Sequence, residues 1–447
     1  MKKLFLTTIA ALSTFVCATQ AQELQQPVQD PTYLVKPSGQ YSIGYHDLFW
    51  VNGTLNSNGQ YECPNNQDPY YTGQNKDDFA PDNQTDFCRE VVLRIYYPTQ
   101  KNNEVGNSYP PLYQFDVDLI NTPNFPMTPE KRKELIDGLV LKSYAIENKP
   151  IINDKIFPLL FFTPGFSGDV EMYENSITHL VSNGYIVVGI NNLFVNGYIA
   201  LENGHIVPST TDYSSTSRLQ MRDYMQKNEE FVYNNITNNL PITTNDNFYQ
   251  NISSSFDLSN IGIYGHSIGG IAASDMVLAH PTWFKAVSPL DGASDVKPDH
   301  PTRNVYPIPV LHQMSLFMRY EFMQDNPWDC GDNSLVNLNN DGYLVLYEKD
   351  VQPGVQEDVN YSAHMNFMDF GTTQYQPSLI EPFKYENASL RELGTENGWK
   401  FTQHMNKYLL NFFDTYLKKG DKIDPNFGLC NPLTKNSKLI CGPASGV

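Results

Sequence analysis

The run Gly265-His266-Ser267-Ile268-Gly269-Gly270 sets a serine between glycines at G-x-S-x-G spacing. It follows a β-branched and aromatic stretch, Ile261–Tyr264, and leads into an apolar helical stretch, Ile271–Leu278. A strand-to-helix turn of this spacing is so tight that the serine takes a strained backbone conformation and presents its hydroxyl at the strand end. Side chains at Gly265 and Gly269 would collide with neighbouring backbone. The helix that follows directs its positive end to the place where an oxyanion would form. The chemistry within reach is nucleophilic attack on a carbonyl, with Ser267 as the nucleophile.

A serine at its own pKa attacks poorly, so it needs a base, and the base needs an acid to orient it. On a turn of this kind the chain order is serine, acid, histidine. Asp291 ends the apolar run Ala286–Leu290 and is placed as the acid, whereas Asp295 and Asp299 fall in a polar loop and read as solvated carboxylates. Four histidines follow Asp291. His300 shares the loop of Asp299, His312 lies inside the strand Ile308–Gln313 as a buried structural residue, and His404 sits on a terminal amphipathic helix. His364 alone stands in a loop beyond the last strand, where a base belongs. His266 reads as packing beside the elbow, because adjacent residues on this turn point apart. Thr163-Pro164-Gly165-Phe166 follows the strand Phe157–Phe162 and is placed to complete an oxyanion hole. Pro164 has no N–H, which leaves the backbone N–H groups of Phe166 and Ile268 as the candidates. No CxxC or His-x-x-His spacing suggests zinc, and no metal or cofactor is expected.

These residues need elements to position them. Strands are expected at Glu90–Tyr97, Phe157–Phe162, Tyr185–Ile190, Ile261–Tyr264, Phe284–Leu290, Ile308–Gln313 and Tyr343–Tyr347. Helices are expected at Thr128–Ile146, Ser176–Asn183, Arg218–Asn235, after Gly269 and at Trp399–Leu417, from apolar residues at 3.6-residue spacing. Continuous apolar strands alternating with helices indicate an α/β protein with a mainly parallel central sheet covered on both faces. Residues 41–447 read as one catalytic domain with a surface insertion over about 56–88, preceded by a loose arm over 22–40.

Lys2 and Lys3, the apolar run Leu4–Val16 and the small residues Ala18–Ala21 read as a signal peptide over residues 1–21, so the chain is expected to be exported, secreted or periplasmic. Losing two lysines and no acid takes the formal charge from −19 to −21. Such a surface repels nucleic acid and anionic headgroups. Of the five cysteines then left, Cys63–Cys88 and Cys430–Cys441 are the expected disulfides, with Cys330 unpaired.

The chain also resembles the secreted, calcium-independent platelet-activating factor acetylhydrolase family. The resemblance is carried by Tyr41-Ser42-Ile43-Gly44 with Asp47-Leu48, by Leu93-Arg94-Ile95-Tyr96-Tyr97-Pro98, by Gly265 to Gly270 and by Leu290-Asp291. Most diagnostic is His364-Met365-Asn366-Phe367-Met368-Asp369-Phe370, far less generic than G-x-S-x-G. The resemblance implies an α/β-hydrolase fold, the triad Ser267, Asp291 and His364, and Phe166 and Ile268 as oxyanion donors. It further implies hydrolysis of short or oxidised sn-2 acyl chains from phospholipids, with a small ester or phospholipid as substrate. Separately, the apolar, aromatic stretch Leu316–Trp328 together with the helix Thr128–Ile146 reads as the lining of an acyl pocket, as peripheral contact with a membrane or lipid surface, or as ordinary core packing. The sequence departs from the family at Thr163-Pro164-Gly165, where Ser-His-Gly is usual, in the Asn56–Asp86 insertion and in the tail from Asn426. A broader secreted carboxylesterase or polyester hydrolase is therefore the second reading. A non-catalytic hydrolase-fold binding protein is the third, disfavoured by an intact Ser/Asp/His order.

Overall fold

Apolar runs that can be buried on both faces pair with one another, and among the described residues they build one nine-stranded sheet. A computed structural model describes residues 34–55, 61–62, 89–102, 142–197, 199–202, 206–207, 209, 215–238, 247–292, 307–315, 342–347, 364–373 and 398–418. In chain order the strands are β1 (Ser42–Val51), β2 (Thr54–Leu55), β3 (Tyr61–Glu62), β4 (Glu90–Thr99), β5 (Ala145–Glu147), β6 (Phe157–Thr163) and β7 (Ile186–Asn192). Then follow β8 (Ile199–Ala200), β9 (Ile206–Val207), β10 (Phe256–His266), β11 (Ala286–Leu290), β12 (Val310–Ser315) and β13 (Gly342–Tyr347).

The large sheet has the order β13-β12-β11-β10-β6-β7-β4-β1-β5, and β2–β3 and β8–β9 pair separately. Only β4 runs against its neighbours, antiparallel to both β1 and β7; the other described pairings within the sheet are parallel. This is the mainly parallel sheet expected from the strand pattern. From β6 the chain passes through the helix Glu174–Ser182 to β7 on one side, and β10 lies on the other side of β6. A sheet that reverses its winding in this way opens a crevice at the carboxyl ends of the strands flanking the reversal. Thr163 ends β6 there, and Ser267 follows β10.

Alternation along each strand supplies two cores, one on each face. Leu160, Phe162, Val187 and Tyr264 pack with Leu180 and Val181 of the helix Glu174–Ser182 and with Phe412 and Phe413 of the helix Gly398–Leu417. Their sequence neighbours Leu159, Phe161, Val188 and Ile263 face the opposite way. These meet Val232 of the helix Ser215–Asn238 and Met276 and Val277 of the helix Ile268–Ala279.

Two local expectations change. Leu34 and Val35, assigned to a loose arm, are buried; their N–H groups donate to Lys142 O (3.2 Å) and Asn175 Oδ1 (2.8 Å). Burial of two aliphatic side chains is what ties this end down. Ala145 and Ile146, assigned to the end of a helix, belong instead to strand β5, because pairing with Ile43–Tyr45 of β1 outweighs local helical spacing. Residues 142–144 are not helical either, and residues 128–141 lie outside the described residues, as do residues 1–21, read above as a signal peptide, nearly all of the 56–88 insertion and all six cysteines. β1 and the short helix Asn247–Ile252 are elements without a counterpart in the expected set. No described helix is long and apolar enough to cross a membrane.

Candidate active site

The elbow forms because β10 ends against backbone with no space for side chains. Ser267 sits at φ 54° and ψ −126° and directly precedes the helix Ile268–Ala279. A Cβ on Gly265 would come within 2.5 Å of Gly269 O and 2.7 Å of Thr163 O. One on Gly269 would reach 2.3 Å from both Thr163 O and Pro164 O. The expected collision is thus with the helix itself and with the loop after β6. Ile268 opens the helix, so its N–H is one of the groups no helical carbonyl can satisfy.

The strand ends then step sideways across the sheet. Ser267 N–H donates to Leu290 O at the end of β11 (2.9 Å), and Asp291 N–H donates to Gln313 O in β12 (2.6 Å). Asp291 is itself left-handed, φ 44°, and its side chain is fully buried. His364 Nδ1 lies 2.6 Å from Asp291 Oδ2, with the histidine side chain 21% exposed. A carboxylate only accepts, so Nδ1 carries the hydrogen and Nε2 keeps the lone pair, the tautomer a general base requires.

Ser315, the last residue of β12, was not singled out from sequence. Its N–H donates to Asp291 Oδ1 (2.6 Å) and its hydroxyl to Oδ2 (2.7 Å). The available signal was its type and place: a hydroxyl at the end of the strand beside the acid.

Thr163-Pro164-Gly165-Phe166 lies against the elbow as expected. A Cβ on Gly165 would stand 3.2 Å from both Ser267 Cβ and His266 Nδ1. The loop is held from behind, with Ser167, at φ 56°, donating its N–H to Val195 O (3.0 Å) and Asn196 Nδ2 donating to Gly165 O (2.9 Å). These contacts set the peptide on either side of Phe166, the candidate donor.

The motif after His364 acts as its mount. The segment forms a 3-10 turn, His364–Phe367, in which Asn366 and Phe367 are buried. Phe367 packs on the ring of Phe401 at 4.9 Å. Two residues on, the carboxylate of Asp369 accepts the N–H groups of Glu174 (2.8 Å) and Asn175 (3.0 Å), at the start of the helix Glu174–Ser182. The acid thereby caps a helix distant in sequence. Asp369→Ala leaves those two N–H groups buried without their partner and should cost about 1–3 kcal/mol of stability. Urea unfolding would read this as a lower midpoint; an unchanged midpoint would refute the capping role.

Of the competing candidates, His312 is buried in β12 as expected, and burial lowers its pKa to about 4. His404 lies on the helix Gly398–Leu417, also pushed down to about 4 by burial. Asp295, Asp299 and His300 lie outside the described residues. Ligand-type atoms of His266, Asp291 and His364 fall within 4.8 Å of one another. Both carboxylate oxygens of Asp291, both ring nitrogens of His266 and Nδ1 of His364 have hydrogen-bond partners already, so a cation would have to displace these.

The comparisons with known proteins agree with this architecture. The family model described as platelet-activating factor acetylhydrolase, isoform II, matches residues 55–235. The match runs across the 56–88 segment, takes in the loop that bears Phe166 and stops before Ser267. A solved structure of a ferulic acid esterase from Streptomyces cinnamoneus superposes with a TM-score of 0.62 at 18% identity, covering 93% of this chain and 97% of that one. At that identity the likeness is one of fold. No curated protein matches the chain. Family match and fold point to one class: this chain is a carboxylic ester hydrolase of the α/β-hydrolase fold, matching the platelet-activating factor acetylhydrolase family over residues 55–235.

Proposed function

We propose that the protein cleaves esters through Ser267, His364 and Asp291, and that its substrates are phospholipids carrying short or truncated sn-2 acyl chains. The observation that carries the catalytic part is the hydrogen bond from half-buried His364 to fully buried Asp291 beside a serine held at φ 54° on the end of β10. His364 Nε2 takes the proton of Ser267 as the hydroxyl attacks the ester carbonyl. The N–H groups of Phe166 and Ile268 stabilise the oxyanion, aided by the positive end of the helix Ile268–Ala279. Collapse of the tetrahedral intermediate expels the alcohol, which takes the proton from His364. Water, deprotonated by the same imidazole, then frees the acyl group from Ser267. Throughout, Asp291 steadies the imidazolium, and Ser315 holds Asp291.

The family match supports the phospholipid part of the reading. Export by the leader in residues 1–21 belongs to the same proposal, since extracellular and membrane-derived lipids are then within reach. The test is a series of p-nitrophenyl esters from acetate to palmitate beside short-chain and long-chain phosphatidylcholines. The expected result is a kcat/KM that falls by about tenfold or more from short to long acyl chains, together with release of the sn-2 acyl group from short-chain phosphatidylcholine. Turnover of the nitrophenyl esters with none of the phospholipids would overturn the phospholipid assignment in favour of a general carboxylesterase.

A further inference from the structure

His266 is the residue beside the nucleophile, and the mechanism above does not use it. It is 1% exposed, yet both ring nitrogens are engaged. Nε2 lies 3.1 Å from the main-chain oxygen of His364. A carbonyl only accepts, so the hydrogen is on Nε2, and Nδ1 is an acceptor. Nδ1 in turn lies 2.8 Å from the hydroxyl of Tyr173, which therefore donates to it. The same phenolic oxygen accepts the N–H of Gly165 at 3.1 Å. Every proton direction in this chain is dictated by its two ends.

The chain connects three separate pieces of the site: the loop after β6 next to Phe166, the elbow, and the backbone of His364. The rings reinforce it, with His266 4.5 Å from His364 and 5.8 Å from Phe367 between ring centres. We propose that Tyr173 and His266 form a positioning pair that holds the oxyanion loop and His364 in register with Ser267. The inference rests on the catalytic reading above.

A neutral His266 is what the pair requires, because a protonated Nδ1 could not accept from Tyr173. Burial, and then the neighbouring His364, push its pKa well below the ordinary histidine value. His364 can thus take a proton during turnover without a second imidazolium in the neighbouring ring. Tyr173 is kept protonated in the same way, its pKa raised by burial above all.

The experiment compares Tyr173→Phe with the wild type in steady-state hydrolysis of p-nitrophenyl acetate and in binding of phenylboronic acid, a tetrahedral mimic of the attacked ester. Loss of register should lower kcat about tenfold or more with KM little changed. Affinity for the boronic acid should fall by a matching factor, because both depend on the oxyanion loop. A merely structural hydroxyl would lower the melting temperature and leave these two quantities alone. Wild-type kcat and boronic acid affinity in a folded Tyr173→Phe protein would overturn the proposal. Should that variant fail to fold, His266→Gln and His266→Leu decide. Glutamine keeps an N–H where Nε2–H stood, and leucine keeps none. Glutamine about tenfold more active than leucine is the expected order, and equal activities would count against the pair. A fluorophosphonate probe on the wild type separates the two levels. Failure to label Ser267 sinks the catalytic reading, whereas full labelling with unaffected Tyr173→Phe kinetics sinks the positioning pair alone.

Discussion

Ser267→Ala is expected to lower kcat for p-nitrophenyl acetate by about 10⁵- to 10⁶-fold while the protein still folds. The size follows from the way the site works as a unit. Without the hydroxyl no acyl-enzyme forms, and the imidazole of His364 has no proton to accept; only the oxyanion donors and binding remain. The fold should survive because the substitution changes one atom on a backbone already in an unfavourable region. Holding φ at 54° costs about 1–3 kcal/mol, and serine and alanine bear that cost alike. The N–H of residue 267 still donates to Leu290 O, and its carbonyl still accepts from Ile271. Turnover of the purified variant, beside its circular dichroism spectrum and melting curve, checks both halves. Activity within tenfold of wild type would remove Ser267 from the reaction.

Asp291→Asn should lower kcat by about 10⁴-fold with a smaller change in KM. Asparagine has nearly the shape of aspartate and tolerates left-handed backbone, so φ 44° at this position is not an obstacle. The damage is in proton placement. Ser315 presents two donors to the carboxylate, one to each oxygen, and His364 Nδ1–H shares Oδ2. An amide offers one oxygen. If that oxygen takes the Ser315 N–H, the NH₂ faces His364 and forces Nδ1 to accept, which puts the hydrogen on Nε2. The base is then blocked on the side that faces the serine. Ser315→Ala is the companion, removing one of the two Ser315 donors, and should cost far less, about tenfold. Steady-state kinetics on the two variants would show the ordering, and an Asp291→Asn protein as active as Ser315→Ala would contradict the assignment of Asp291 as the orienting acid.

Much of this site can be read in the residues themselves. Gly265 and Gly269 announce the turn because only residues lacking a side chain fit where backbone comes within 3 Å of their Cβ positions, and that constraint is local. Asp291 is legible because it closes an apolar run. The strands carrying both residues are continuous aliphatic and aromatic stretches, and burial on two faces demands such stretches wherever the strand lies in the sheet. His364 needed its flanking motif, whose physical basis appears only on folding: Phe367 fills a space against Phe401, and Asp369 caps a helix almost 200 residues earlier in the chain.

What the chain could not disclose in one dimension is which polar groups close on one another. Ser315, Tyr173 and Asn196 look like ordinary strand-end, turn and loop residues, and His266 like a packing residue. Their roles exist only where β12 lies beside β11 and where the turn before the helix Glu174–Ser182 passes under the elbow. Likewise Ala145–Glu147 became strand because β1 offered an unpaired edge, and Leu34 and Val35 became anchored because a buried surface was available to them. The sequence by itself determined which groups are proposed to react, through the steric demand of a tight turn and the apolar demand of buried strands. Tertiary structure decided how those groups are held, since hydrogen bonds between distant segments are set by the order of the strands in the sheet and leave no periodic trace along the chain.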